Sequence, residues 1–398
     1  MSLDAYTRRK LLTAPVFLLV CLVVLEASVR LIGHVDSDGN RWFEGLRLKP
    51  YHLPVRRITA LVHGYEASLA TSTMAYDPDI GWVESDRDTS GLRDRVATVA
   101  RGDSARRASR VRIAVFGASY TGGWWRSLED SLKAAGVPAE VVSFGCGGYG
   151  TDQAFLSWRK HCVSYRPDIV LFGYSRLDCE SNVNLVRVLV EPETGIPFMK
   201  PRFLLVGDRL QLIDVPTPPL GEVPGVVAHF DGWRFAAHEH YFQPTDFKTR
   251  FWRQSVLLSL LEARIAAARE QKALAEFYDE QGEGAKLALR IVRQFRQETE
   301  AAGSRFYVVH LPHLDDLRSF QETGACPSPG LLAGVSRMAP VIRPEAAMLE
   351  SARGQDLSRY FAHGHYSKEF NSVIAHILAR ALLASPDSVV FRKAVRST

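Results

Sequence analysis

The chain has 398 residues, 46% of them hydrophobic and 23% charged, and a net charge of only +5. It is long enough to bury a sizeable core. No basic face with interleaved aromatics and no nucleic-acid motif appears, which argues against nucleic-acid binding. Its five cysteines, Cys21, Cys146, Cys162, Cys179 and Cys326, lack metal-ligand spacing; neither a metal nor another cofactor is expected. An exported domain would admit one or two disulfides, which spacing alone does not assign.

The N-terminus departs from this ordinary composition. Leu11 to Leu25 is uncharged and mostly Leu and Val, and apolar character resumes through Val29 to Ile32. From Leu11 to Gly33 the stretch is 23 residues, interrupted by Glu26 and Arg30. A membrane span needs about 20 residues, so those charges belong at its far end. Arg8, Arg9 and Lys10 precede it, which favours a cytoplasmic N-terminus. The reading is a cytoplasmic tail (1–10), an uncleaved single-pass anchor (11–33) and an extracytoplasmic, periplasmic-side remainder. A cleaved signal peptide is the rival, and no clear A-x-A site follows the apolar run.

Residues 34–110 read as an irregular, polar accessory region with turn signals at Asp36–Gly39 and Tyr76–Asp79, and a basic cluster from Arg101 to Arg112. From 111 the pattern becomes short apolar strands alternating with helices. Strands are expected at Val111–Phe116, Ala139–Phe144, Ile169–Gly173, Arg305–Leu311 and Pro340–Arg343. Helices are expected near Trp125–Ala135, Gln153–His161, 250–279, 285–302 and Lys368–Leu383. This alternation implies a parallel sheet covered by helices: a three-layer α/β/α domain over 111–384 with a flavodoxin-like sheet. A Pro- and Gly-rich excursion over 183–249, hairpin-like at Phe203–Ile213, would form a lid or wall. A loose tail, 385–398, closes the chain. Trp124, Trp125 and Trp158 are candidates for sugar stacking, with core packing the plainer reading.

In an open parallel sheet, ligands bind beyond the carboxyl ends of the strands. Four segments fall there: Gly117–Gly123, Gly145–Asp152, Tyr174–Asn182 and His363–His365. A serine becomes nucleophilic beside a base, and an acyl oxyanion needs fixed donors. Ser119 with His365 meets the first need, and backbone amides at Ser119 and Gly148 the second. Three other patterns carry less. Gly145-x-Gly147-x-x-Gly150, with Asp168 downstream, follows the second strand rather than the first, which counts against a dinucleotide site. G-x-S-x-G fails because Thr121 stands where the second glycine should be. His310, His313, Asp315 and Asp316 could suggest a metal, but an ordinary strand-end loop is the plainer reading.

Gly117-Ala118-Ser119-Tyr120-Thr121 resembles the first motif block of the SGNH (GDSL-type) hydrolase superfamily. Phe144-Gly145-Cys146-Gly147-Gly148-Tyr149-Gly150-Thr151-Asp152-Gln153 resembles the second block, and His363-Gly364-His365-Tyr366-Ser367, before a helix, the last. The apolar N-terminus with Asp77–Trp82 and Gly91–Asp94 is similar to membrane-anchored bacterial members. The resemblance implies the SGNH hydrolase fold, with Ser119 as nucleophile, His365 as general base, and Ser119 and Gly148 amides as oxyanion donors. The chain departs from the pattern at three places. Ala118 replaces the first-block Asp, Leu177 the third-block oxyanion Asn, and Ala362 and His363 stand where the histidine's Asp is expected. Ser175 or Arg176 are candidates for the lost donor. His363, Asp356 or a backbone carbonyl are candidates for orienting His365, and Asp178 for bracing the second-block loop. The expected activity is that of an envelope esterase or O-acyltransferase. It would act on ester groups, O-acetyl above all, of a carbohydrate through an acyl-serine. The alternative is a catalytically impaired SGNH-fold protein that binds a glycan or an envelope assembly partner.

Overall fold

The computed structural model describes residues 5–85, 110–191, 194–385 and 391. Gly91–Asp94 and most of the basic cluster from Arg101 lie outside them. The chain divides into two compact units, one of residues 1–63 and 221–274 and one of residues 64–220 and 275–398.

The second unit carries the sheet. Its strands are β1 (Val111–Phe116), β2 (Ala139–Ser143), β3 (Ile169–Tyr174), β4 (Arg305–His310) and β5 (Val341–Ile342). They are parallel throughout and lie in the order β5-β4-β3-β1-β2, the flavodoxin-like arrangement expected. β1 and β3 are buried at every position, as strands covered on both faces must be. The covering helices are α1 (Trp125–Ala134), α2 (Thr151–Tyr165), α3 (Glu283–Ala301), α4 (Leu314–Thr323) and α5 (Lys368–Ala384).

The two faces of the sheet are packed with different chemistry. Val111, Ile113, Val115, Ile169, Leu171 and Val309 meet Trp124 at the start of α1, Leu128 of α1, and Phe370, Ile374 and Leu378 of α5 in one largely aliphatic cluster. The alternate residues face an aromatic layer. There the ring of Phe295 on α3 lies 4.9 Å from Phe306, 5.3 Å from Phe155, 5.6 Å from Phe172 and 6.0 Å from Phe116. This period-two division sends successive side chains of each strand to opposite faces, and the parallel order brings the carboxyl ends of the strands together. Trp124 and Trp158 are buried core residues, whereas Trp125 is partly buried, packed against the aliphatic cluster.

The accessory region is more ordered than its polarity suggests. It contains the helix Val55–Ala67 and a hairpin, Met74–Asp77 paired with Gly81–Glu84. The excursion is divided as well. The hairpin Arg202–Val206/Arg209–Ile213 belongs to the sheet-bearing unit, whereas residues 221–249 belong to the other. All five cysteines are free thiols.

In the first unit, the helix Ala5–Ile32 contains 20 residues, Thr13–Ile32, long and apolar enough to cross a membrane. Val29 at its end packs with Leu48, Val256 and Ala263. The last two lie on the helix Val256–Phe277.

Candidate active site

Strand growth reverses direction between β1 and β3, so a crevice opens at their carboxyl ends. Three glycines end adjacent strands there, and one side chain explains all three. Thr121 is fully buried. A Cβ on Gly117 would lie 2.7 Å from its Cγ2, one on Gly173 2.4 Å, and one on Gly145 2.0 Å from its Oγ1. Thr121 also donates to the Ala118 carbonyl at 2.7 Å. The residue two places after Ser119 is thus the peg on which the three strand-end turns close, and it holds Ser119 in a 3-10 turn at the lip of the crevice.

His365 arrives on a different device. Phe361 pairs with Tyr366 and Ala362 with His365, leaving His363 (φ +50°) and Gly364 (φ +78°) as the two loop residues. Positive φ at both positions is the type I′ hairpin requirement. The turn aims the His363 carbonyl at its neighbour's ring, 3.1 Å from His365 Nδ1. On the other side, His365 Nε2 lies 2.7 Å from Ser119 Oγ. The carbonyl therefore holds a proton on Nδ1 and leaves the Nε2 lone pair facing the serine hydroxyl. Tyr120 secures the hairpin by donating its hydroxyl to the Gly364 carbonyl. Its ring sits 4.4 Å from that of His313 and 5.2 Å from that of His365. Burial and the nearby Asp316 push the Tyr120 hydroxyl up to about 12, so it stays a donor.

The candidates for supporting roles separate. Of the three suggested for orienting His365, the backbone carbonyl of His363 is the one in contact with its Nδ1, at 3.1 Å. The imidazole of His363 is not, and Asp356 is exposed and caps its own turn by accepting from Ser358 N and Oγ at 3.0 and 2.6 Å. Arg176 is not the lost oxyanion donor. It is bound to the buried Asp316 at 2.7 Å and lies over the Tyr278 ring. Ser175 remains. Its Oγ accepts from Leu177 N at 3.3 Å, its own proton meets no acceptor among the described residues, and it lines the same cavity as Ser119. Asp178 braces its own loop rather than the second-block loop, accepting from Ser175 N at 2.9 Å. Burial, with the Asp152 charge adding to it, raises its carboxyl to about 8.

The amides of Ser119 and Gly148 donate to no acceptor among the described residues, which leaves both for an incoming oxygen. Gly148 has φ +76°, and a Cβ there would lie 3.3 Å from Arg187 Nε. Its loop is braced from several sides. Trp82 Nε1 donates to the Gly147 carbonyl at 2.9 Å, Tyr149 donates to Trp82 O at 2.6 Å, and Gln153 Nε2 donates to Ile80 O at 2.9 Å. Asp152 forms a buried ion pair with Lys200. The Asp77–Trp82 segment named from the sequence is therefore the loop's scaffold.

The cavity holds about 560 Å³ around Ser119, Gly148, Ser175 and His365. One wall is polar: Ser181, Arg187, Glu191 and Thr194. Arg187 is buried, donates to Ser181 Oγ at 3.2 Å and pairs with Glu191. Arg187, Glu191 and Thr194, with Ile196, are the part of the excursion that reaches the site, and nothing in their local sequence marked them. His313, also lining, accepts from the Asp316 amide in a capping box, and burial lowers its pKa to about 4. His310 points elsewhere, 2.5 Å from Glu345. The four residues considered for a metal therefore do not converge. Asp168 accepts from Arg112 N at 2.8 Å, at the amino ends of the strands, away from the Gly145–Gly150 loop.

No family model matches the chain, and no curated protein matches its sequence. Solved structures are similar to it at low identity. One is the acetyl xylan esterase AlAXEase, at 11% identity over 68% of this chain and 100% of that one, with a TM-score of 0.36. A second is a catalytic mutant of an acetylxylan esterase from Geobacillus stearothermophilus, at 12% identity over 71% of this chain and 94% of that one, TM-score 0.36. A third is a GDSL-like lipase from Bacteroides thetaiotaomicron, at 11% identity over 74% of this chain and 97% of that one, TM-score 0.33. At these values the likeness assigns no chemistry to this chain.

Proposed function

We propose that the protein is a serine esterase or O-acyltransferase. The observation that carries this reading is the 2.7 Å contact of Ser119 Oγ with His365 Nε2, with His365 Nδ1 held by a carbonyl at 3.1 Å. Ser119 attacks the ester carbonyl as its proton passes to Nε2. The carbonyl oxygen becomes an oxyanion, held by the Ser119 and Gly148 amides and the Ser175 hydroxyl. His365 returns the proton to the leaving alkoxide, and acyl-Ser119 remains. Water, or a second hydroxyl, then attacks that ester with His365 as base, and Ser119 is restored.

The polar wall of Ser181, Arg187, Glu191 and Thr194 beside the reacting pair suits an acyl group carried on a polyol, so an O-acetylated carbohydrate is the proposed substrate class. The apolar segment Thr13–Ile32, preceded by Arg8, Arg9 and Lys10, supports a single-pass anchor with the sheet-bearing unit on the extracytoplasmic side.

The test is reaction of the full chain with a fluorophosphonate probe and with an aryl acetate. Labelling at Ser119, and turnover that falls by more than about 10⁴-fold in Ser119→Ala, are the expected results. A folded protein that neither labels nor turns over would reject the enzyme. It would favour instead the glycan- or partner-binding reading that Leu177, in place of the oxyanion Asn, motivates.

A further inference from the structure

The end of the apolar helix and the start of the helix Val256–Phe277 form one closed polar junction. Glu26 accepts from the amides of Val256 and Leu257 at 2.9 and 2.8 Å and from Ser255 Oγ at 2.8 Å. A carboxylate from one helix thus caps the free N–H groups of another. Arg30 completes the set, donating to Glu26 at 2.7 Å and to the Gln254 carbonyl at 2.8 Å. Leu11–Leu25 provides 15 uncharged residues, about 22 Å of helix at 1.5 Å per residue, short of a hydrocarbon layer of about 30 Å. A bilayer spanned by this helix therefore reaches the junction. There, backbone and charged groups need protein partners, and these have them.

Beyond the junction, the second helix is apolar on two faces. Val256 and Ala263 are buried against Val29 and Leu48. Leu258, Leu261 and Ile265, at helical spacing, are 46%, 57% and 47% exposed. Just before them Phe251 is 81% exposed and rests edge-on against Trp252. Exposed basic residues lie before and after the stripe, Lys248 and Arg250 on one side and Arg269 on the other; within its span Glu262 is paired with Arg253, and Arg250 lies over the Trp252 ring. Arg264 pairs with Glu44 at the surface.

We infer that this face is a second membrane contact: Val256–Phe277 lies in the headgroup–acyl boundary of the bilayer that the first helix spans. The inference rests on the anchor reading. An exposed apolar stripe with aromatic residues at one end, basic residues before and after it and its nearby acidic groups paired suits an interfacial helix. Here it begins at the depth where the spanning helix leaves the hydrocarbon. The contact would fix the first unit against the membrane surface at two points rather than one.

The test uses the full chain in bilayers of mixed zwitterionic and anionic lipid, with a fluorescent amino acid at one position and nitroxide quenchers at graded depths. A label at Leu261 is expected to be quenched at least threefold more strongly by shallow nitroxides than one at exposed Asp231. The double substitution Leu258→Glu, Ile265→Glu should reduce that quenching to the Asp231 level, while a label at Val20 stays deeply quenched. Val20 quenched with Leu261 at the Asp231 level overturns the inference and leaves the anchor standing. Leu261 shielded from nitroxides at every depth, with blue-shifted emission, means that a polypeptide covers the face, and also overturns it. Val20 unquenched removes the anchor, and the inference with it.

Discussion

The proposed active site has a nucleophile-and-base half and an oxyanion half, and each lacks a side chain that the proposed chemistry would normally use. In the base half the loss is made good by main chain. The His363–Gly364 turn supplies a carbonyl where a carboxylate is expected, and Tyr120 holds the turn in place. In the proposed oxyanion half, the Ser175 hydroxyl, two residues before Leu177 and accepting from its amide, would stand in for the missing donor. A main-chain acceptor is fixed by the fold. A hydroxyl is fixed only by its rotamer and by the Leu177 amide donating to it. The base half should therefore tolerate side-chain change, and the oxyanion half should not.

Ser175→Ala tests this directly. Losing one oxyanion donor lowers kcat by about 10²–10³-fold, with KM for a small aryl ester little changed. Because Leu177 lines the same cavity, Leu177→Asn in the Ser175→Ala background is expected to recover tenfold or more. A kcat within threefold of wild type for Ser175→Ala would show that the two amides suffice.

The same loop carries a buried acid, which makes a stability test. Asp178, raised to about 8 by burial and the Asp152 charge, keeps its proton in the folded state over a range where the unfolded chain loses it. The folded state then binds more protons, so stability falls as pH rises from about 4 to 8, by at most about 1.4 kcal/mol per unit. His313, lowered to about 4, acts in the opposite sense. Between pH 4 and 6.5 the unfolded histidine binds a proton that the folded one does not, so stability rises with pH there. That contribution fades above pH 6.5 and is common to wild type and Asp178→Asn, so it cancels in their difference over pH 6.5–8. Denaturant titrations across that range should show wild type losing up to about 2 kcal/mol relative to Asp178→Asn, whose side chain can still accept from the Ser175 amide. Parallel curves would place the Asp178 proton elsewhere.

How far the sequence was legible follows the same division. The five strands, the flanking helices and the Ser119 turn are local patterns: apolar runs, helical spacing and a glycine before a serine. Thr121 was readable only as part of a motif, because its three glycine neighbours lie on strands far apart in the chain. Ser175 and Arg176 were equal candidates until Asp316, 140 residues later, claimed the guanidinium. The polar wall at Arg187 was not legible, since its position depends on the packing of Gly148 against it. Nor was the orienting carbonyl, because every residue has one and only the turn decides where it points.

The His363 turn yields the smallest expected effect and the sharpest discrimination. His363→Gly keeps the carbonyl, removes the imidazole and relieves a positive φ that only glycine adopts freely. If the main chain orients His365, kcat/KM on an aryl acetate stays within about threefold, less than 0.7 kcal/mol in transition-state terms. Stability moves by no more than about 1 kcal/mol, since relief at φ +50° is opposed by glycine's greater unfolded-state entropy. A fall of tenfold or more in a folded variant would transfer the orienting role to the imidazole. The base half would then depend on a side chain as the oxyanion half does.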